Sequence, residues 1–279
     1  MTTQVQPKDR TISANGINIR YLDWGDPSSP KMVLLHGLRG HAHAWNDFSE
    51  PMSKDYNVLA LDQRGRGGSD WAPDKDYTTD AYVADLAAFC EVLNLDSFIL
   101  VGHSMGGRNA AAFATSYPER VSKLVMVDVG PVSDPRGATR IRDEVLAVAD
   151  EFDSFEALYE YMSKENTFAS ERVLRRRLQY ASTDLPNGKR GWQYDIKTIR
   201  ENMRVGAPPP DDPWALVRDI KCPTLIVRGT ETDLLTPEVA KQMVDTIADA
   251  TVAEVEKAQH MVFEDNPEGF LAAVQGWLK

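Results

Sequence analysis

The chain is poor in cysteine, with two thiols in 279 residues, Cys90 and Cys222. One falls inside a helical pattern and the other just ahead of an expected strand. Neither a disulfide framework nor a cysteine metal site is therefore expected. Long hydrophobic runs are missing as well. No window reaches the length of a membrane span, and the opening residues MTTQVQPKDR have no apolar stretch behind them. A cytoplasmic protein is the expectation. Basic charge is in deficit, since 31 Lys and Arg stand against 42 Asp and Glu, a formal net charge of −11. That balance argues against a nucleic-acid or anionic-membrane surface and suits solubility. There is no internal repeat, no low-complexity tract and no phosphate-binding glycine pattern; Gly65, Gly67 and Gly68 fit a tight loop instead. Of five histidines, His41 and His43 stand two apart and do not share a helix face, so no metal site is expected from them.

What the chain does have is a strand–helix rhythm and enough apolar residues, 42%, for a large core. Residues 10–13 and 17–24 alternate around Asn15-Gly16, a hairpin signal. Apolar strands are expected at 31–35, 56–61, 97–101 and 122–127, and helices from near 43, over 79–93 and over 105–117. Nearly all-apolar strands alternating with helices predict a mostly parallel sheet covered on both faces. The rhythm breaks at about 133. From there to 213 the pattern holds helical stretches, at 141–149, 154–163, 171–180 and around 192–204, and no convincing strand. It ends in a Pro-rich joint at 207–213, and alternation resumes with TLIVRG at 224–229, a helix at 237–247, a strand at 252–255 and a helix at 268–278. The expected organisation is an α/β core of residues 1–132 and 214–279, with an all-helical insert at 133–213 lying over the site as a cap.

The stretch SFILVGHSMGGRNAAAFA, residues 97–114, organises the rest. An apolar strand runs into Gly102-His103-Ser104-Met105-Gly106, and a small-residue helix follows. This is the pattern of a sharp, strained strand-to-helix turn that lifts a serine hydroxyl clear of a sheet. Small residues are needed on both sides, because strand and helix pass too closely for a Cβ. Ser104 is the candidate nucleophile.

With HGLRG at 36–40, GHSMGG at 102–107 and a late histidine in AQHMVFED at 258–265, the chain resembles the α/β-hydrolase superfamily over essentially its whole length. It is most similar to the esterase-type branch with a helical cap between the sixth and seventh strands. The loop DQRGRGGSD at 62–70 resembles one common in that branch. The resemblance implies an α/β-hydrolase fold and a Ser–acid–His chain order. A serine hydroxyl needs a base to take its proton, and the loop where the family places that base holds His260. His36 belongs to the oxyanion loop, and His103 is expected to point away from Ser104 along the bend. The acid is open between two residues. Asp233 stands after the strand TLIVRG, the family's usual place, but one residue beyond the commoner Gly-x-x-Asp position, which Thr232 occupies. Asp128 ends the strand before. Both precede His260, and Asp233 is preferred, with Asp128 bracing the loop that launches the cap.

The resemblance further places the oxyanion-hole N–H groups at Leu38 and Met105. Arg39 could meet a substrate carboxylate bidentately, although a salt bridge to an acid of the insert is favoured. The expected function is a serine hydrolase of small carboxylic esters or lactones that works through an acyl-enzyme and needs no cofactor. A C–C bond hydrolase of ring-cleavage products is the alternative; such relatives often have Asn where His103 stands. Epoxide or haloalkane chemistry would need an aspartate in place of Ser104. A ligand receptor that keeps the triad but hardly turns over is the reading from another class. The sequence leaves the oligomeric state open. Replacing the nucleophile removes on the order of 10⁶-fold in rate from a serine hydrolase, so Ser104→Ala should abolish ester turnover and fluorophosphonate labelling while the fold stays intact. Undiminished labelling of that variant would overturn the assignment.

Overall fold

Asn15 and Gly16 turn the chain with positive φ, 49° and 76°, the geometry of a two-residue type I′ hairpin. The flanking strands β1 (Lys8–Ala14) and β2 (Ile17–Trp24) pair antiparallel, with Ala14 opposite Ile17. The computed structural model describes residues 5–164, 168–206 and 211–279. After the hairpin comes β3 (Lys31–Leu35), then a 3₁₀ turn at Ala42–Trp45, α1 (Asn46–Met52) and β4 (Asn57–Leu61). Next are α2 (Thr79–Leu93), β5 (Phe98–His103), α3 (Met105–Ser116) and β6 (Val121–Val127). The Thr78 side chain caps α2 by accepting from the Ala81 N–H, and Asn94, at φ 52°, ends the helix in the left-handed region.

Eight strands form the main sheet in the order β1-β2-β4-β3-β5-β6-β10-β11, where β10 is Thr224–Gly229 and β11 is Ala250–Val255. From β4 onward every pairing is parallel; β2 meets β4 antiparallel. Every residue of β4, β5 and β10 is buried, because apolar layers cover both faces. One layer gathers Phe89, Phe113 and Met243, and the other Trp45, Phe263 and Phe270. Among the described residues no helix is long and apolar enough to cross a membrane.

Between β6 and β10 lies the insert: α4 (Pro135–Ala147), β7 (Glu151–Phe152), α5 (Phe155–Ser163), α6 (Glu171–Ala181), β8 (Ser182–Asp184), β9 (Arg190–Trp192) and α7 (Ile196–Val205). A short helix, α8 (Ala215–Arg218), leads back to the sheet. The expectation of an all-helical insert is corrected here. Three short strands form an antiparallel sheet, β7-β9-β8, and Trp192, expected near the start of a helix, ends β9 and meets Phe152 edge to face at 5.8 Å. Strands of two and three residues are too short to show a period of two, which is why the pattern hid them. The insert has its own apolar cluster, including Val145, Leu158, Leu174 and Trp192, and Leu38 of the HGLRG loop packs against it. The Pro-rich joint at 207–213 lies mostly outside the described residues.

The chain closes with α9 (Pro237–Thr246), α10 (Val262–Asp265) and α11 (Pro267–Leu278). The glycines about Ser104 owe their place to close packing of α3 on the sheet. A Cβ on Gly106 would overlap the carbonyl oxygens of Leu35 and His36 at the end of β3, and one on Gly102 would overlap the backbone of Gly106 and Gly107. Backbone cannot yield as a flexible side chain can. Gly106→Ala should therefore destabilise the protein by about 1–3 kcal/mol, the usual range for overpacking a tight interior, as read from urea unfolding. A midpoint equal to that of the unsubstituted protein would disprove this account of the turn.

Candidate active site

Ser104 sits at the head of α3 with φ 54° and ψ −119°, a backbone conformation that non-glycine residues rarely adopt. Its N–H donates to the Val127 carbonyl at 3.0 Å, extending the parallel pairing of β5 with β6 by one step. Asp128 leaves β6 beside it, also with positive φ, 46°, and its N–H donates to the Val227 carbonyl at 2.8 Å. Two strained residues thus stand on neighbouring strand ends, held by the ladder on either side.

His260 follows β11 and reaches both. Its Nε2 lies 3.0 Å from Ser104 Oγ and its Nδ1 lies 2.8 Å from Asp128 Oδ2. The expectation that Asp233 meets His260 is therefore corrected. Asp233 points to the insert, where its two carboxylate oxygens accept from Nη2 and Nε of Arg140, both at 2.7 Å. Thr232, at the commoner acid position, donates its hydroxyl to Asp128 Oδ2 at 2.6 Å. The one-residue offset of Asp233 was itself the signal in favour of Asp128, the alternative the sequence left open. A hydroxyl at position 232 complements a carboxylate arriving from β6, whereas a carboxylate there would repel it.

Burial governs the charges. Removal from water pushes the His260 imidazolium below its ordinary range, with Arg140 acting in the same direction, so the ring is neutral at pH 7 and able to accept a proton. The same removal pushes the Asp128 carboxyl up, opposed by the Thr232 hydroxyl. His103 lies beneath His260; its Nε2–H donates to the His260 carbonyl at 2.8 Å. His36 has a structural place, with Nδ1 on the Gly37 carbonyl (2.7 Å) and Nε2 accepting the Gln63 N–H (3.0 Å).

Ser104, His260, Leu38 and Arg39 line a cavity of about 160 Å³, together with Met162, Leu178 and Trp192 from the insert. Met105 follows Ser104 directly, and Leu38 shares the cavity lining with Ser104. The buried Arg66, which the sequence reading passed over, links their elements: its Nε donates to the Leu38 carbonyl at 3.0 Å, and its Nη2 lies 3.9 Å from Met105 Sδ. Arg39 is engaged by the insert, since its Nη2 donates to Glu144 Oε2 of α4 at 2.6 Å. Glu144 also accepts from Arg140 at 2.6 Å, so Arg39, Glu144, Arg140 and Asp233 form one chain of ion pairs. Among the described residues no cluster of three or more His, Cys, Asp or Glu could hold a metal ion.

A family model described as "Alpha/beta hydrolase family" matches residues 32–273. A Bacillus subtilis protein bearing the provisional name 2-succinyl-6-hydroxy-2,4-cyclohexadiene-1-carboxylate synthase is 32% identical over 275 residues, covering 96% of this chain and 97% of its own. An esterase of Mycobacterium tuberculosis is 29% identical over 279 residues, covering 98% and 89%. Among solved structures, E-2-(acetamidomethylene)succinate hydrolase superposes with a TM-score of 0.89 at 25% identity, covering 98% of this chain and 99% of that one.

The geometry reverses the order in which the two aspartates should matter. An amide beside Nδ1 favours the wrong imidazole tautomer and costs on the order of 10⁴-fold. Asp128→Asn should show that collapse in kcat on a short-chain ester, while Asp233→Asn stays within about tenfold because its carboxylate serves Arg140. The opposite ranking would restore Asp233 as the acid.

Proposed function

The chain belongs to the alpha/beta hydrolase family, and on that premise we propose that it is a serine hydrolase cleaving small carboxylic esters or lactones through an acyl-enzyme. The observation that carries this reading is the hydrogen-bonded series Ser104 Oγ, His260 Nε2, His260 Nδ1, Asp128 Oδ2, which opens into a cavity. His260 takes the hydroxyl proton as Oγ bonds to the carbonyl carbon. Asp128 holds the ring by Nδ1–H and stabilises the imidazolium that forms. The oxygen that becomes negative in the tetrahedral intermediate is met by the N–H groups of Leu38 and Met105. Met105 is the first residue of α3, where an N–H has no partner inside the helix and the helix dipole is positive. His260 then returns its proton to the leaving alkoxide as the C–O bond breaks, leaving the acyl group on Oγ. Water, activated by the same histidine, attacks the acyl carbon and restores the serine.

The cavity volume, about 160 Å³, is smaller than that of the clefts that enclose drug-sized ligands, which suits a short acyl chain. Its roof comes from the insert, which acts here as a cap and selects substrate through Met162, Leu178 and Trp192. Arg39, engaged by Glu144, fits a latch between core and cap better than a free carboxylate receptor.

Turnover of a p-nitrophenyl ester separates the readings. Release of p-nitrophenol should continue well past one equivalent per chain, and kcat/KM should fall by roughly tenfold or more between a short acyl chain and a long one that the cavity cannot enclose. A single equivalent followed by a stall would instead fit a ligand receptor of the same fold. Hydrolysis of a ring-cleavage diketone with no ester turnover would favour the C–C hydrolase.

A further inference from the structure

Helix α6, ERVLRRRLQYA, turns arginines toward the core. Arg172 and Arg176, one turn apart, both fork onto Asp47 at 2.8 to 3.2 Å. Arg177 goes elsewhere. Its Nη1 donates to Glu264 Oε2 at 2.8 Å, and its backbone carbonyl accepts from His41 Nε2 at 2.9 Å. Glu264 is 2% exposed and belongs to α10, four residues beyond His260. An ion pair withdrawn from water in this way is costly to break, because the remaining partner becomes an uncompensated buried charge. Burial pushes the Glu264 carboxyl up, against the pull of Arg177.

The segment between Glu264 and His260 has little slack. The N–H groups of Glu264 and Asp265 both donate to the Met261 carbonyl, at 2.8 and 2.9 Å. Asp265 Oδ2 accepts the Gln259 N–H at 2.8 Å, and the His260 carbonyl is held by His103. His260 and α10 therefore move as one hydrogen-bonded unit, and the insert grips that unit through Arg177.

We propose that Arg177 and Glu264 are positioning residues: the docking of α6 on α10 sets the placement of His260 between Ser104 and Asp128. The inference rests on the reading of His260 as the base. Arg177 also lines the cavity, so a direct substrate contact is the rival role to be separated.

The test uses Glu264→Gln, Arg177→Met and the double variant in the full chain. Four quantities are read: kcat, KM, the rate of fluorophosphonate labelling at Ser104, and Tm. Small displacements of catalytic groups cost up to about 10²-fold, so each variant should lose roughly tenfold to a hundredfold in kcat and in labelling rate, with KM within about threefold. The double variant should be no worse than either single one. It should also regain most of the Tm that they lose, since it leaves no unpaired buried charge. Recovery of kcat together with Tm in the double variant would reduce the pair to a stabilising contact and overturn the proposal. So would an unchanged Glu264→Gln enzyme, or a loss confined to Arg177→Met and to KM. If a single variant fails to fold, the double carries the test alone, with low kcat at unchanged KM supporting the proposal and unchanged kcat overturning it. Absence of Ser104 labelling in the unsubstituted protein would fault the nucleophile reading instead.

Discussion

His103 lies opposite Val127 in the parallel pairing of β5 with β6, and the next residue on each strand, Ser104 and Asp128, leaves the sheet beside the other. Neighbouring strands run about 4.8 Å apart, so a hydroxyl and a carboxylate on adjacent strand ends are within reach of one imidazole. Both residues hold positive φ, which costs on the order of 1–3 kcal/mol each. The flanking ladder bonds to Val127 and Val227 offset that cost. Only a loop returning across this edge can complete the set, and the loop after β11 does so. Gly229 lets it pass: a Cβ there would overlap the Ala258 and Gln259 carbonyls. Sheet order, more than local propensity, thus decides which side chains meet.

The insert is fastened to this edge by two ionic groups of different character. Arg140 and Asp233 keep 42% and 34% of their side-chain surface in contact with solvent, whereas Arg177 and Glu264 keep 11% and 1%. Exposed pairs contribute about 0–1 kcal/mol and are screened by salt. Buried pairs resist screening but must be kept intact, because a lone buried charge is strongly destabilising. Stacking adds to the α6 side, where Tyr180 lies on His43 with centroids 3.5 Å apart. The α6 attachment is thus the less salt-sensitive of the two, and it is also the one that touches the His260 unit.

Much of this was legible in the sequence because it rests on short-range constraints. Asn15-Gly16 announces a hairpin, apolar runs announce doubly covered strands, and Gly102 and Gly106 mark a turn too close for side chains. Ser104 and His260 were legible for the same reason, each lying within a motif of its own. The strands of the insert were not, since two or three residues cannot display a period. Nor was the partner of His260, because the choice between Asp128 and Asp233 depends on how far each strand end lies from the imidazole. Arg66, Arg177 and Glu264 were missed because charged residues are ordinarily solvated, and only the fold shows that Arg66 and Glu264 are buried and that Arg177 is largely covered.

The relation of the two aspartates has a further electrostatic consequence. Asp233 does not touch His260, yet its charge favours the protonated ring, while Arg140 opposes it. The two are joined by paired bonds at 2.7 Å, so the ring feels them largely as a neutral unit. If Thr232 were aspartate, a further carboxylate would stand directly against Asp128, and like charges so placed raise one another's pKa. The hydroxyl of Thr232 avoids this. It donates to Asp128, favours the ionised carboxylate and adds no charge. A β6 acid with a β10 hydroxyl is therefore a self-consistent alternative to a β10 acid, and it leaves Asp233 available to hold the insert.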